Sequence, residues 1–390
     1  MYKFKEESMK VPTYIWSQEG GIEQGAIDQI KNASSLPFAF HHTVLCPDGH
    51  FGYGAPIGGI LATQNVIVPN FVGVDIGCGM LAVRTNITNL DIDKLKDILG
   101  NIRKVIPVGF NKHQKRQSEG LMPISAKDYK IVAREYDNAL LSLGTLGGGN
   151  HFIEIQKDSD GFIWIMIHSG SRNLGKQVAD YYNKLAIELN NKWYTSVPKS
   201  YDLAFLPIDR KEGFNYMEEM GYCVEYAYAN RKLMLSRILN IFDDFLSYSI
   251  NKNEVINIAH NYAKKEFHFG QDVVVHRKGA TLAESGTIGI IPGSQGSHSY
   301  IVKGRGNKDS FNSCSHGAGR KMGRKEAERT LNLNNEIEDL NRRGILHAIR
   351  NVNDLDEAPG AYKDISIVME NQKDLVDIVV ELTPLAVIKG

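Results

Sequence analysis

The chain reads as α+β, a mixture in which strands and helices alternate without the βαβ rhythm of a doubly wound sheet. Three observations carry this. Glycine-punctuated, β-rich segments occupy residues 57–86 and 272–303. The most helical stretch, 214–249, lies between them. The C-terminal residues return to short strand-like runs. Nothing in the 390 residues reads as a linker, a repeat or a low-complexity tract. One large domain, 1–390, is therefore expected, with a helical insertion at about 176–268.

The elements follow in order. IGGILATQNVIVPNFVGVDIGCGMLAVRTN (57–86) reads as strands joined by tight turns. Leu95, Ile98, Leu99 and Ile102 share one face of a helix that Pro107 stops. FIWIMIH is a strand ending at His168. SGSRNLG then opens a helix whose apolar face is Val178, Tyr181, Tyr182, Leu185 and Leu189. His260 is expected in a helix and His268 at a helix-to-turn junction. ISIVME is expected as a strand, KDLVDIVVEL as a helix or strand, and PLAVIKG as a last short strand.

Composition bounds the function. A hydrophobic fraction of 42% and a charged fraction of 23% are ordinary for a globular protein. Lys+Arg and Asp+Glu are 45 each, so no global field attracts nucleic acid, and any RNA contact must come from local patches. No apolar run is long enough to span a bilayer. The start, MYKFKEESMK, lacks the apolar core of a signal peptide. Cys46, Cys78, Cys223 and Cys314 are scattered, so a reduced cytoplasmic protein is expected rather than a disulfide framework.

Five motifs look like chemistry. In VGVDIGCGM (72–80), Asp75 and Cys78 lie on one glycine-rich turn. A carboxylate and a thiolate there suit a transition metal; a buried cysteine with a capping aspartate is the alternative. GTLGGGNHFIEI (144–155) places Asn150 and His151 after three glycines, where a phosphate or nucleobase can approach the backbone; no Gly-Lys-Ser/Thr follows, so it is no Walker loop. In IHSGSRNLG (167–175), Ser169, Ser171 and Arg172 at a helix start suit a phosphate, though serines there also serve as caps.

The fourth, IAHNYAKKEFHFGQDVVVHRKGAT (258–281), holds His260, a structural His268, and His276, which either touches phosphate or ends its strand in solvent. In the fifth, PGSQGSHSY (292–300), Ser294, Ser297 and Ser299 form a turn that could cradle a nucleotide. Asp75, Cys78, His151, His168 and His260 together make a full ligand set for one or two metals. A further stretch, FNSCSHGAGRKMGR (311–324), leaves His316 beside residues of almost no bulk, with Arg320, Lys321, Arg324 and Lys325 behind it.

CPDGHFGYGAPIGG (46–59), VGVDIGCGM, GGGNHFIE, HSGSRNLG, AHNYAK, VVVHRKGAT, PGSQGSHSY and SCSHGAGR occur in one order over nearly the whole chain. In that order the sequence resembles the RtcB-type RNA-splicing ligases. The resemblance implies that family's own fold, mixed β-sheets around a central metal site with flanking helices. It implies a GTP- and Mn²⁺-dependent enzyme, with two ions, that joins RNA 3′-phosphate or 2′,3′-cyclic-phosphate ends to 5′-hydroxyl ends. A binuclear metal phosphoesterase is the alternative reading.

Carried over residue by residue, Asp75, Cys78, His151, His168 and His260 match metal ligands, with the thiolate between two ions. His316 matches the nucleophile that takes GMP. Asn150, Phe152, Glu154, Ser294, Ser299, Gly317, Tyr362 and Lys389 match positions around the guanylate. Arg172 and Arg320 match positions near RNA phosphates or the triphosphate. Gln295 and His298 depart from the usual pattern in the nucleotide turn. Lys321, Arg324 and Lys325 are expected on a solvated helix face, and Cys314 in packing. Some members of the family require an activating protein.

Overall fold

A computed structural model describes residues 1–246 and 254–390. Two large sheets organise them. The first runs Tyr2–Phe4, Thr13–Ile15, Ala39–His50, Ile57–Thr63, Gln271–Lys278, Asn261–His268. The second runs Ile256–Ala259, Gly79–Arg84, Ile163–Ser169, Phe152–Asp158, Val376–Lys389, Ser299–Gly304, Ile288–Ile291. Its two edge strands lie beside each other, so the sheet curls nearly into a barrel.

Alternation along the second sheet sets which residues meet. Ile163, Ile165 and Ile167 pack outward with Ile98, Leu99 and Ile102 of helix Ile92–Val105 and with Ile238 and Phe242 of helix Lys211–Phe245. Trp164 and Met166 face inward with Met80 and Phe152. With a side-chain period of two, His168 falls on the inward face, as do Phe152 and Glu154 on the neighbouring strand. Helix Ile92–Val105 carries the four apolar residues expected of it, with Asp91 accepting the Lys94 N–H as its cap.

The two sheets are joined at one residue that matters. The chain leaves the second sheet at Ala259, turns through His260, and enters the first at Asn261. His260 is therefore not helical. Residues 261–268 pair antiparallel with 271–278 through Phe269 and Gly270, both at positive φ (49° and 81°). Helix formers in AKKE lose to this hairpin. The helical stretch accordingly ends at Phe245 and strands resume at Ile256; residues 247–249 of the expected helix lie outside the described residues.

Near the C-terminus ISIVME is a helix, Ile365–Glu370, because Asp364 caps it by accepting the Ser366 N–H. The two runs after it form one long strand, Val376–Lys389, whose register shifts between Pro384 and Ala386. A proline cannot donate to the ladder, and the irregularity accommodates it.

Candidate active site

The seam between the sheets opens into a cavity of about 440 Å³. Its walls include Asp75, Cys78, Asn150, Phe152, Glu154, His168, His260, Ser294, His316, Gly317, Arg320, Tyr362 and Lys389, the residues whose spread along the chain runs from the first glycine turn to the penultimate position.

At its floor the Cys78 Sγ lies 3.4 Å from His151 Nε2 and 3.3 Å from His168 Nε2. His168 Nε2 lies 3.4 Å from His260 Nε2, and His151 Nε2 lies 3.0 Å from Asp75 Oδ2. Two groups of three ligand atoms result, Cys78–His168–His260 and Asp75–Cys78–His151, and they share the sulfur. His168 donates its Nδ1–H to the Asn150 carbonyl (3.1 Å), so its Nε2 carries a lone pair. Burial, followed by the neighbouring histidines and nearby Lys389 and Arg231, holds His168 and His260 well below the usual histidine range, so both stay neutral. Burial, then Asp75, pushes the Cys78 thiol well above its usual value.

Lone pairs that converge in a dry site repel one another unless a cation sits among them. A cation would also turn the Cys78 thiol into a thiolate. The donor set therefore fits a metal site.

Beneath the ligands Arg231 is fully buried. It donates to the carbonyls of Gly77 (3.1 Å), Ser169 (2.8 Å) and Ile258 (3.3 Å) and to Asn257 Oδ1 (2.7 Å). It thus ties together the three segments that carry Cys78, His168 and His260.

His316 projects from the end of the short strand Ser313–Ser315, its ring 4.8 Å from that of His260. Its Nδ1–H donates to Asp48 Oδ2 at 2.7 Å, and its backbone N–H reaches the same oxygen at 3.0 Å. A carboxylate only accepts, so the proton sits on Nδ1 and Nε2 is left with its lone pair. Asp48 is fully buried; burial alone would raise its pKa, but the hydrogen bond from His316 and the nearby Lys363 cation hold it below the usual range. Gly319, at φ 72°, allows this approach: a Cβ there would crowd the Asp48 backbone, 2.8 Å from its carbonyl carbon.

On the opposite wall Glu357 gathers cations. Its carboxylate meets Arg320 (3.3 Å), Arg324 (3.0 Å) and Lys389 (3.2 Å), and accepts from the Tyr362 hydroxyl. Glu154 lies deeper, beside Gln156 and Lys389. Burial raises it from 4.5 to about 8, against the opposing pull of those two groups.

Several expectations need correction or refinement. Arg324 is exposed on its helix as expected, but its guanidinium also pairs with Asp356 and Glu357 at the cavity wall. Lys321 and Lys325 are exposed as expected, Lys325 pairing with Glu328 at 2.9 Å. His276 neither touches solvent nor is free for phosphate: it is fully buried, donating from Nδ1 to Leu61 O and accepting the Val68 N–H at Nε2. Ser169 and Ser171 are buried and donate to Leu146 O and Ile76 O, so neither caps the helix nor faces the cavity. Arg172 is occupied by Gly109 O (2.8 Å) and Thr145 Oγ1 (2.9 Å), within electrostatic reach of Asp75.

Ser294 lines the cavity, whereas Ser299 Oγ accepts from Gly293 N–H and Gln156 Nε2 behind it. Gln295 spans Glu357 O and Ala348 N–H, fixing the turn, and His298 is exposed beside Thr383. Cys314 is buried in an apolar cluster. Asp48, Glu357 and Arg324 are functional candidates that sequence reasoning missed. Only the Pro-Asp-Gly turn signature stood near one of them.

Comparison with known proteins points one way. The family model described as tRNA-splicing ligase RtcB matches residues 29–134 and 116–390. The RNA-splicing ligase RtcB of Escherichia coli K12 is 36% identical, over 97% of this chain and 97% of its own length. The tRNA-splicing ligases RtcB of Nanoarchaeum equitans and Methanococcus maripaludis are each 32% identical over 99% of this chain, and over 97% and 96% of their own lengths.

Proposed function

Since the chain belongs to the RtcB family of tRNA-splicing ligases, it is an RNA ligase of tRNA splicing or RNA repair, and we propose that it works through a GMP adduct on His316. The observation that carries the proposal is the His316–Asp48 pair at the rim of a two-ion ligand set. A phosphoesterase built on the same ligands does not need a covalent nucleophile beside the ions, whereas a GMP-transferring ligase does.

Asp75, Cys78, His151, His168 and His260 would hold the ions, which the family implies are Mn²⁺, although the donors alone also suit Zn²⁺ or Fe²⁺. Bound there, the ions supply Lewis acidity that neutralises phosphate oxygens and acidifies a hydroxyl.

His316 Nε2 attacks the α-phosphorus of GTP; the N–P bond forms and pyrophosphate leaves. Asp48 keeps the ring oriented and offsets the positive charge that develops on it. Arg320, Arg324 and Lys389 stand where phosphate charge is to be held. An oxygen of the RNA 3′-phosphate then displaces Nε2, giving an RNA 3′-pp-G end. The 5′-hydroxyl attacks the 3′-phosphorus and GMP departs. Glu154, Asn150, Phe152, Ser294, Ser299, Gly317 and Tyr362 are assigned to the guanylate side.

Participation of residues from His50 to Lys389 in one cavity supports treating 1–390 as one catalytic domain. Four free cysteines, one of them a proposed ligand, fit a reducing cytoplasm. Among the described residues no helix is long and apolar enough to cross a membrane.

The test is direct. Labelled GTP and Mn²⁺ should give an acid-labile, alkali-stable protein–GMP adduct that His316→Ala abolishes. Absence of an adduct with any divalent metal would overturn the proposal in favour of the phosphoesterase.

A further inference from the structure

Residues 103–116, RKVIPVGFNKHQKR, contain Arg103, Lys104, Lys112, Lys115 and Arg116, one aromatic and no acid. In a chain with balanced charge this is a local concentration. It begins at the end of helix Ile92–Val105, and Pro107 turns it toward the catalytic loop. There the backbone is pinned on both shoulders. Pro107 O accepts from Leu146 N–H (2.9 Å), Gly109 N–H donates to Gly147 O (2.8 Å), and Arg172 holds Gly109 O. Beyond the tip, the backbone N–H groups of His113 and Gln117 donate to Leu141 O (2.9 Å) and Leu140 O (3.1 Å). The pins on the near side are on the glycine turn that delivers Asn150 and His151 to the cavity.

Between the pins Phe110 is 101% exposed. A phenyl ring held in water on a fixed backbone forgoes the stabilisation that burial would give it. Around it the cations lack compensation. Among the described residues, Arg103, Lys104, Lys112, Lys115 and Arg350 form no ion pair; only Arg116 does, with Asp137 at 2.8 Å. Arg350 follows Leu346, which packs on the same apolar cluster as that helix, and its charge repels that of Arg103. One ring among unpaired cations is the combination with which proteins hold single-stranded nucleic acid. A protein-docking face is instead depleted of charge at its centre.

We propose that this segment cradles the single-stranded RNA behind the reacting end: Phe110 stacks on a base, and Lys112, Lys115, Arg103 and Arg350 follow its phosphates. The inference rests on the ligase reading and names the surface that steers its substrate to the ions from the Gly147–Asn150 side.

Phe110→Ala and the double variant Lys112→Gln/Lys115→Gln test it. Fluorescence anisotropy with short RNAs, one bearing a 3′-phosphate and one a 5′-hydroxyl, is read over a salt series. Phe110→Ala should weaken binding of one RNA by about 5- to 150-fold. The double variant should reduce the slope of log K against log salt by about 1.4 for that RNA. Adduct formation with GTP, which involves no RNA, should proceed at the wild-type rate. Failure of the wild type to form the adduct would refute the ligase reading while leaving the binding result to stand or fall separately. Unchanged affinity and salt slope for both RNAs would overturn the cradle and leave this face to a protein partner.

Discussion

Glu154 lets the guanylate side be tested through protons alone. Its carboxyl is buried on the inward face of the barrel-like sheet and is raised from 4.5 to about 8. Ionising it in the free site costs on the order of 5 kcal/mol relative to water. A guanine base can repay that cost, because its N1–H and N2–H both donate toward a carboxylate; adenine presents an acceptor at the equivalent position. With a free-state value of about 8, roughly nine in ten Glu154 side chains are protonated at pH 7 and about one in four at pH 8.5. GMP affinity should therefore rise about eightfold between pH 7 and 8.5, with about 0.9 proton released per GMP bound at pH 7. Calorimetry without metal, in two buffers of different ionisation enthalpy, measures both. GMP is the better probe than GTP, since its phosphate is already largely dianionic at pH 7. The sign of the stability effect follows. A raised carboxyl contributes stability that is complete below 4.5 and lost as pH rises through about 8, so the free protein should soften over that window and GMP should restore it. Glu154→Gln should flatten the affinity profile. A flat or falling profile in the wild type would refute the assignment.

The ligand set, the nucleophile and the buried guanidinium yield three further expectations. At Gly170 a Cβ would overlap the Asp75 carboxylate, 2.6 Å from its Cγ, so Gly170→Ala should displace Asp75. Metal analysis should then find the protein losing one of two ions; retention of both at wild-type affinity would contradict the division into two sites. Asp48→Asn keeps an acceptor for the His316 backbone but removes the charge behind its ring. Adduct formation should slow by about 10- to 150-fold with metal content unchanged, the worth of a hydrogen bond to a charged group; a wild-type rate would deprive Asp48 of its role. Arg231→Met leaves the carbonyls of Gly77 and Ser169 without their buried donor. Urea unfolding should register a loss of about 2–6 kcal/mol, the cost of leaving those two carbonyls unsatisfied, together with weaker metal binding. An unchanged midpoint would show that the ligand-bearing turns are held by other contacts.

Much of the fold was legible where periodicity is long. The stripe Leu95–Ile102 and the helix after Ser171 stand as read, because 3.6-residue repeats bury one face whatever the partner. The failures lie where local preference and tertiary pairing disagree. ISIVME alternates like a strand, yet a capping aspartate one residue earlier starts a helix. Residues 261–268 contain good helix formers, yet Phe269 and Gly270 close a hairpin. Phenylalanine is a rare choice for a left-handed turn position, so the turn carried only half of its usual signature.

The site divides along the same physical line. Asp75, Cys78 and the three histidines, which the structure brings together as candidate ligands, were readable because their chemistry is unusual wherever it occurs, and glycines flank several of them. Asp48 and Glu357 were not. Pro47-Asp48-Gly49 is what any turn looks like, and what distinguishes Asp48 is a contact with His316, 268 residues away. Glu357 sits in a short 3₁₀ segment without an apolar stripe, and its meaning comes from Arg320, Arg324 and Lys389 converging on it. The same convergence explains Arg324. Its side chain at the first turn of a short helix remains half-exposed to water, and two acids from another segment engage its guanidinium. A carboxylate that orients another group makes no local signature, since its role exists only in the distance to its partner. The candidate ligands of this cavity could therefore be found one motif at a time, whereas the residues positioned to aim them could be found only in the folded chain.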